Sequence, residues 1–214
     1  MKKLLTVLLL LFAVSALTFA GGEQEAGAAA PAASESESEG VSVRDRVMTY
    51  FAEMPGHIYK VPQAEFLQMV GAGSDMTIID IRRADDYAEG HIKGAVSMPW
   101  GTPAMYEMLP YIPDDKPAFV YCYSGQTAGQ AVAVLNIAGI PTRSVNLGWN
   151  FGLSKVDGMQ EFVETTENAW PGTPQNDIPD ALMAAYQDYY EETAEASGTP
   201  FASNIVSEEN AKAI

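Results

Sequence analysis

An apolar run, Phe119-Val120-Tyr121, ends at the only cysteine of the chain, Cys122. Residues suited to a tight loop follow, Tyr123-Ser124-Gly125-Gln126-Thr127, and a helical pattern begins at Ala128. Ala128, Ala131, Val132, Leu135 and Ala138 share one helical face, small enough to pack closely on a sheet. Gly139 is a natural helix end with Pro141 just beyond it. Thr142–Leu147 reads as another strand before Gly148-Trp149-Asn150 turns away. Strand, loop, helix and strand with links this short constrain the fold strongly. An open, mostly parallel sheet with helices on both faces is the economical solution. Catalytic loops in such sheets lie at the carboxyl ends of strands, and Cys122 sits at one.

The rest of the chain fits around this unit. Lys2 and Lys3 precede the apolar run Leu4–Val14, and Ala16–Ala20 offers a small-residue exit, so residues 1–20 read as a signal peptide. An uncleaved anchor is the alternative, although the run is short for a membrane span. The expected location is the periplasm or outside the cell. Residues 21–40, built of Gly, Ala, Ser, Glu and Pro, lack core-forming side chains and read as a disordered acidic linker. Val43, Val47, Tyr50 and Phe51 recur at helical spacing, giving a helical extension over 41–56 ended by Pro55-Gly56. The main domain is placed at 57–156. Ile58-Tyr59-Lys60 reads as an entry strand, with Pro62 opening a helix whose inner stripe is Phe66, Leu67 and Val70. Met76–Ile81 reads as a strand buried on both faces. Arg83–Glu89 reads as a short polar helix, and His91–Met98 passes through Gly94 into a small strand. After Val156 the pattern lapses into an acidic extension, 157–214. It holds one helix near 180–194, with Leu182, Ala185, Tyr186 and Tyr189 facing inward.

The charge distribution excludes some partners. The chain carries a net charge of -16, concentrated at its ends: -5 over residues 21–40 and -10 over 160–214, against -2 over 57–155. Nucleic acid would require a basic footprint that this sequence does not have. Acidic flanks equally disfavour anionic membrane surfaces.

Cys122 carries the chemistry. Backbone N–H groups from Tyr123 to Ala128 can converge on its sulfur, and the helix N-terminus adds potential favourable to an anion. Both favour a nucleophilic thiolate. Gly125 permits a backbone angle that other residues resist, and Ser124 and Thr127 can donate hydroxyls into the same bowl. Other readings stand beside this one: a buried bystander cysteine, or a thiol pairing two chains. No disulfide can form within the chain, and thioredoxin-type chemistry lacks its second cysteine. No metal or other cofactor is expected, because only His57 and His91 exist and neither has ligand-like spacing to Cys122. The same two histidines are the only candidates for a papain-like base.

Two separated blocks resemble the rhodanese family of sulfurtransferases. The first is Ile79-Asp80-Ile81-Arg82, then Asp86-Tyr87, then Gly90-His91-Ile92-Lys93-Gly94-Ala95 running to Pro99. The second is the loop Tyr121–Ala128, and Val145-Asn146-Leu147-Gly148-Trp149 resembles the family's last strand and following glycine. The likeness covers roughly 57–155. It implies a five-stranded α/β fold, here with a C-terminal helical extension. It also implies an activity: the counterpart of Cys122 takes a sulfane sulfur from thiosulfate or mercaptopyruvate, becomes a persulfide, and passes the sulfur to cyanide or a thiol. The partners implied are thus a small sulfur-containing anion or persulfide donor and a thiol or cyanide acceptor. Phosphatase relatives have a loop one residue longer, so the loop length favours sulfur over phosphate.

By this resemblance the substrate-binding set is Tyr123, Ser124, Gly125, Gln126, Thr127 and Ala128, with Arg82 as a candidate to steer an anionic donor. Arg82 is otherwise expected to pair with Asp86 or Asp85. Asp80, Asp86, His91 and Trp149 are assigned structural places near the site. Asp80 is expected to accept backbone hydrogen bonds at its turn, His91 to be structural, and Trp149 either to roof the pocket or to join the core. The loop departs from common versions in having Thr127 where many members have Arg, and no base just after Cys122. A non-catalytic rhodanese-like module that binds a partner or senses sulfur species is therefore the competing reading.

Overall fold

The structure is a computed structural model that describes residues 42–195. The expected signal peptide, the acidic linker and the tail from Thr199 lie outside the described residues. The elements are α1 (Val43–Ala52), β1 (Lys60–Val61), α2 (Gln63–Gly71), β2 (Thr77–Asp80), α3 (Ala84–Glu89), β3 (His91–Ile92), β4 (Ala95–Ser97), α4 (Ala104–Glu107), β5 (Ala118–Tyr121), α5 (Gln126–Ala138), β6 (Thr142–Val145), β7 (Val163–Glu164) and α6 (Asp180–Glu195). Short 3-10 turns and one π-helical turn, Gly148–Gly152, fill the links. None of the described helices is long and apolar enough to cross a membrane.

Five strands form one parallel sheet in the order β1-β6-β5-β2-β4. β5 lies at its centre, so the segment leaving its carboxyl end is held by neighbours on both sides. Side chains alternate across the sheet with period two. Ala118, Val120 and Cys122 join the apolar cluster beneath α5 and α6, together with Ile79, Ile81, Leu135, Leu182 and Tyr190. Phe119 and Tyr121 join the cluster on the other face, with Ile78, Phe66, Leu67 and Leu153. This two-sided burial is why β2 and β5 read as continuous apolar runs rather than alternating ones.

Helix α5 follows the expected stripe: Ala128, Ala131, Val132, Leu135 and Ala138 are its buried residues. It ends at Gly139, with φ +97° and N–H bonds from Gly139 to Asn136 O and from Ile140 to Leu135 O that satisfy the last carbonyls. Arg46 on α1 donates to the carbonyls of Ile137 and Ala138, a favourable cation at a helix C-terminus. α1 itself is capped by Ser42, whose Oγ accepts from Asp45 N. Phe51, expected on its inner stripe, is exposed.

The stretch His91–Met98 passes through Gly94 into a small strand, β4, and a further two-residue strand, β3, precedes the turn. β3 leaves the main sheet and pairs antiparallel with β7, matching His91 to Glu164 and Ile92 to Val163, while β4 joins β2. Gly94, at φ +78°, makes the turn between them. The partner strand lies beyond Val156, where the sequence pattern lapses, so the pairing left no local signal. Helix α6 presents Leu182, Tyr186 and Tyr190 to the core, but Ala185 is exposed. Tyr190 is larger and one turn beyond Tyr186, and it fills the space toward α4. Residues before α6 also cover the outer edge of β4: Trp170 Nε1 donates to Ser97 O (3.0 Å) and Asn168 Nδ2 to Ala95 O (3.0 Å). An otherwise unpaired strand edge is thereby closed by the extension.

Candidate active site

Cys122 follows β5 directly, 2% exposed, with its side chain on the α5 face of the sheet. Two amides reach the sulfur: Gly125 N–H at 3.0 Å and Ala128 N–H at 3.4 Å. The convergence read from the sequence over Tyr123–Ala128 therefore reduces to these two donors, because the chain turns at Gly125 and only the turn and the first helical turn face inward. Gly125 is the N-cap of α5, in the left-handed region at φ +88°. Ser124 Oγ is engaged with Gln126 Oε1 at 3.2 Å. Thr127 is half-buried in the first turn of α5, and no acidic residue stands in that turn to offset the helix dipole.

The loop is held from behind by the segment that leaves β6. Trp149 N–H donates to Cys122 O and Asn150 N–H to Tyr123 O, both at 2.8 Å. Leu147 and Gly148 are both in the left-handed region, at φ +59° and +57°. A Cβ on Gly148 would stand 2.3 Å from Cys122 O, so only glycine lets the two backbones approach this closely. Leu147 is half-exposed and contributes to a cleft of about 320 Å³ beside the loop, together with Lys60, Ser124, Gly125 and Gln126. Cys122 does not line that cleft.

A second brace acts through Tyr123. Its hydroxyl donates a very short hydrogen bond to Asp86 Oδ2 and accepts from Arg83 N at 3.1 Å. Arg83 Nε also reaches Asp86 Oδ2, at 3.2 Å. The Tyr123 hydrogen bond, with help from Arg83, holds the Asp86 carboxyl below the ordinary aspartate value against partial burial. Burial and the Asp86 contact push the Tyr123 phenol up.

Arg82 is placed differently from expectation. It pairs with Asp80, not with Asp85 or Asp86: Nη2 lies 2.7 Å from Asp80 Oδ2, and the same nitrogen donates to Gly90 O at 2.7 Å. Asp80 also accepts from Arg82 N, as expected of a carboxylate at that turn. The guanidinium stacks over the Trp149 ring at 3.9 Å. Burial opposes its charge, but the hydrogen bonds and attraction of Asp80 prevail and hold it above the ordinary arginine value. Asp86 is already taken by Tyr123 and Arg83, which is the physical reason for the change of partner. With 4% exposure, and with Nε and Nη2 committed to Asp80 and Gly90 O, Arg82 offers little to a passing anion. Trp149 packs with the cluster on the face opposite Cys122 and stacks on Tyr121, so it does not roof the sulfur. His91 is fully buried, stacked on Tyr87, with Nδ1 2.8 Å from Tyr87 O and Nε2 3.1 Å from Thr166 O. It is occupied structurally. No group of three or more potential metal ligands occurs among the described residues.

Fold and site together define an α/β protein with a cysteine held by backbone amides at the mouth of a helix, on the central strand of a parallel sheet. Residues 62–155 match the family model of the rhodanese-like domain. No curated protein matches it. Similar solved structures include a Staphylococcus saprophyticus protein, 24% identical, covering 42% of this chain and 87% of that one, with a TM-score of 0.38. A rhodanese-like domain protein from Staphylococcus aureus is 19% identical over 42% of this chain and 85% of its own, TM-score 0.36. A thiosulfate sulfurtransferase from Pseudomonas aeruginosa is 19% identical over 72% of this chain and 28% of its own, TM-score 0.44.

One contributor to the loop left no sign in the sequence: Asn150 acts through its backbone N–H, which no side-chain pattern announces.

Proposed function

We propose that the protein is a sulfurtransferase in which Cys122 carries sulfane sulfur. The thiolate attacks the outer sulfur of a donor such as thiosulfate. The donor's S–S bond breaks, sulfite leaves with the bonding pair, and Cys122 becomes a persulfide anion. Cyanide or a thiolate then attacks the terminal sulfur, and the Cys122 sulfur leaves as thiolate, ready for another cycle. The observation that carries this reading is the pair of amides on Cys122 Sγ, from Gly125 and Ala128. They stabilise negative charge on sulfur without a general base, and the exchange transfers no proton that would require one. On the strength of the Lys2-Lys3 leader, the reaction belongs to the periplasm or the exterior. Fractionation of cells expressing the full chain tests that.

The direct experiment is intact-mass measurement after exposure to thiosulfate or mercaptopyruvate, followed by turnover with cyanide. A gain of one sulfur on the wild type, absent in Cys122→Ser, is the expected result. A folded protein with a reactive thiol that gains no sulfur from either donor would sink the reading. The second reading, a non-catalytic binding or sensing module, draws on one observation: the loop itself, Tyr123 to Ala128, carries no cationic side chain to attract a dianion.

A further inference from the structure

Among the buried polar atoms without a hydrogen-bonding partner in the described residues, two belong to neighbouring rings on the Cys122 face of the sheet: Trp100 Nε1 and the Tyr190 hydroxyl. Tyr190 is 1% exposed, and the two rings meet edge to face with centroids 5.5 Å apart. Buried polar atoms are almost always satisfied, so an unsatisfied pair side by side points to something that binds there.

Their position follows from the backbone. Ile81 N–H donates to Tyr121 O, and Trp100 N–H donates to Ile81 O. Cys122, Ile81 and Trp100 thus form a row across the carboxyl ends of β5, β2 and β4. At roughly 4.8 Å per strand, Trp100 stands about 10 Å from Cys122. Cys122, Ile81 and Tyr190 belong to one apolar cluster, with Trp100 packed against it. Helix α6 delivers Tyr190 to this end of the sheet. Just before the helix, Asn176 bonds to the carbonyls of Leu109 and Ile112, in the link that leads down to the start of β5. Tyr186 then reaches Val134 O, midway along α5, and Tyr190 meets Trp100 one turn later. The helix therefore climbs antiparallel to α5 toward the end where α5 begins and Cys122 lies.

We infer that Trp100 and Tyr190 form a binding site on the Cys122 face of the sheet and present an indole N–H and a phenolic O–H to the oxygen atoms of a small sulfur donor bearing an oxyanion. The inference rests on the reading of Cys122 as the sulfur carrier. The active loop has no cation, and Arg82 is committed to Asp80 and Gly90 O. Of the other cations near the loop, Arg83 is exposed beside Asp86 and Lys60 lines the cleft that Cys122 does not reach, whereas Trp100 and Tyr190 offer enclosed neutral donors on the Cys122 face. Burial keeps the Tyr190 phenol protonated far into the alkaline range, so it stays a donor. The extension would then supply substrate contacts that the loop lacks. The sulfonate-like oxygens of thiosulfate and the carboxylate of mercaptopyruvate share the required chemistry.

The test uses the full chain carrying Cys122→Ser, which cannot turn over. Thiosulfate and mercaptopyruvate are titrated separately by calorimetry, with and without Tyr190→Phe or Trp100→Phe. Both substitutions keep an aromatic ring, and circular dichroism checks the fold. The expected result is a rise of about tenfold in Kd for the preferred donor in each variant, the cost of one hydrogen bond to a charged ligand. An unchanged Kd for both donors in both variants overturns the inference, as does absence of binding by the Cys122→Ser chain. The function reading fails separately: wild-type protein that binds the donor in a Tyr190-dependent way but gains no sulfur refutes transfer and leaves this site standing.

Discussion

Gly148 and Cys122 are in backbone contact: a Cβ on Gly148 would lie 2.3 Å from Cys122 O, 2.8 Å from Gly125 N and 2.9 Å from the carbonyl carbon of Tyr123. The glycine that ends the β6 segment is therefore a template for the cysteine loop, fixing the turn that aims Gly125 N–H at the sulfur.

Gly148→Ala is expected to move the loop away from the sulfur. A left-handed alanine alone costs about 1–2 kcal/mol, and the contact with Cys122 O cannot be relieved by a rotamer change because both partners are backbone. Denaturant unfolding should show a loss of at least about 2 kcal/mol. Sulfur loading of Cys122, followed by mass, should fall in the protein that remains folded. Normal loading with normal stability would show that the loop does not depend on this contact.

The buried Asp80–Arg82 pair gives a second expectation. Removing one partner strands the other charge beneath Trp149, so Asp80→Ala should cost about 3–5 kcal/mol. Because the penalty comes from the orphaned charge, Asp80→Ala with Arg82→Met should recover part of it. Urea unfolding of the two single variants and the double variant measures this. A double variant no better than Asp80→Ala would mean that the pair's hydrogen bonds to Gly90 O and to its own turn matter more than its charge.

The Tyr123–Asp86 brace predicts a pH effect. Asp86 titrates lower folded than unfolded, so it contributes stability above the ordinary carboxylate value of about 4. That contribution fades as pH falls through the depressed folded value. Tyr123→Phe removes the main cause of the depression. Below pH 4, the stability of the variant should therefore fall less steeply than that of the wild type. Thermal midpoints across the acid range compare the two slopes, and parallel curves would remove Asp86 from the account.

What was legible in the sequence follows one rule. The β5–α5–β6 unit was read nearly to the residue because it is local: apolar run, glycine at a required turn, small-residue stripe and Gly139 stop are neighbours in the chain. Cys122 and its loop were found for the same reason. Features made by distant pairing were missed or misassigned. Arg82 has three carboxylates within four residues, and spacing cannot decide among Asp80, Asp85 and Asp86. The fold decides, by giving Asp86 to Tyr123. The β3–β7 ladder joins segments more than seventy residues apart and is only two residues long on each side. Trp149 carried no sign of which face it would take, because the turn at Leu147 and Gly148 resets the alternation of β6.

The acidic extension is expected to be part of the folded unit rather than an appendage. Leu182 is 1% exposed, and it shares a cluster with Met105, Leu109 and Leu135 beneath the same face of the sheet that carries Cys122. An independent tail would tolerate loss of that side chain, whereas a core residue would not. Leu182→Ala leaves a cavity and should cost about 2–5 kcal/mol, lowering the thermal midpoint of the whole domain in one cooperative transition. Asp188→Ala, at an exposed position of the same helix, should shift it little. A Leu182→Ala protein with an unchanged midpoint would detach α6 from the core and take with it the route by which Tyr190 reaches Trp100.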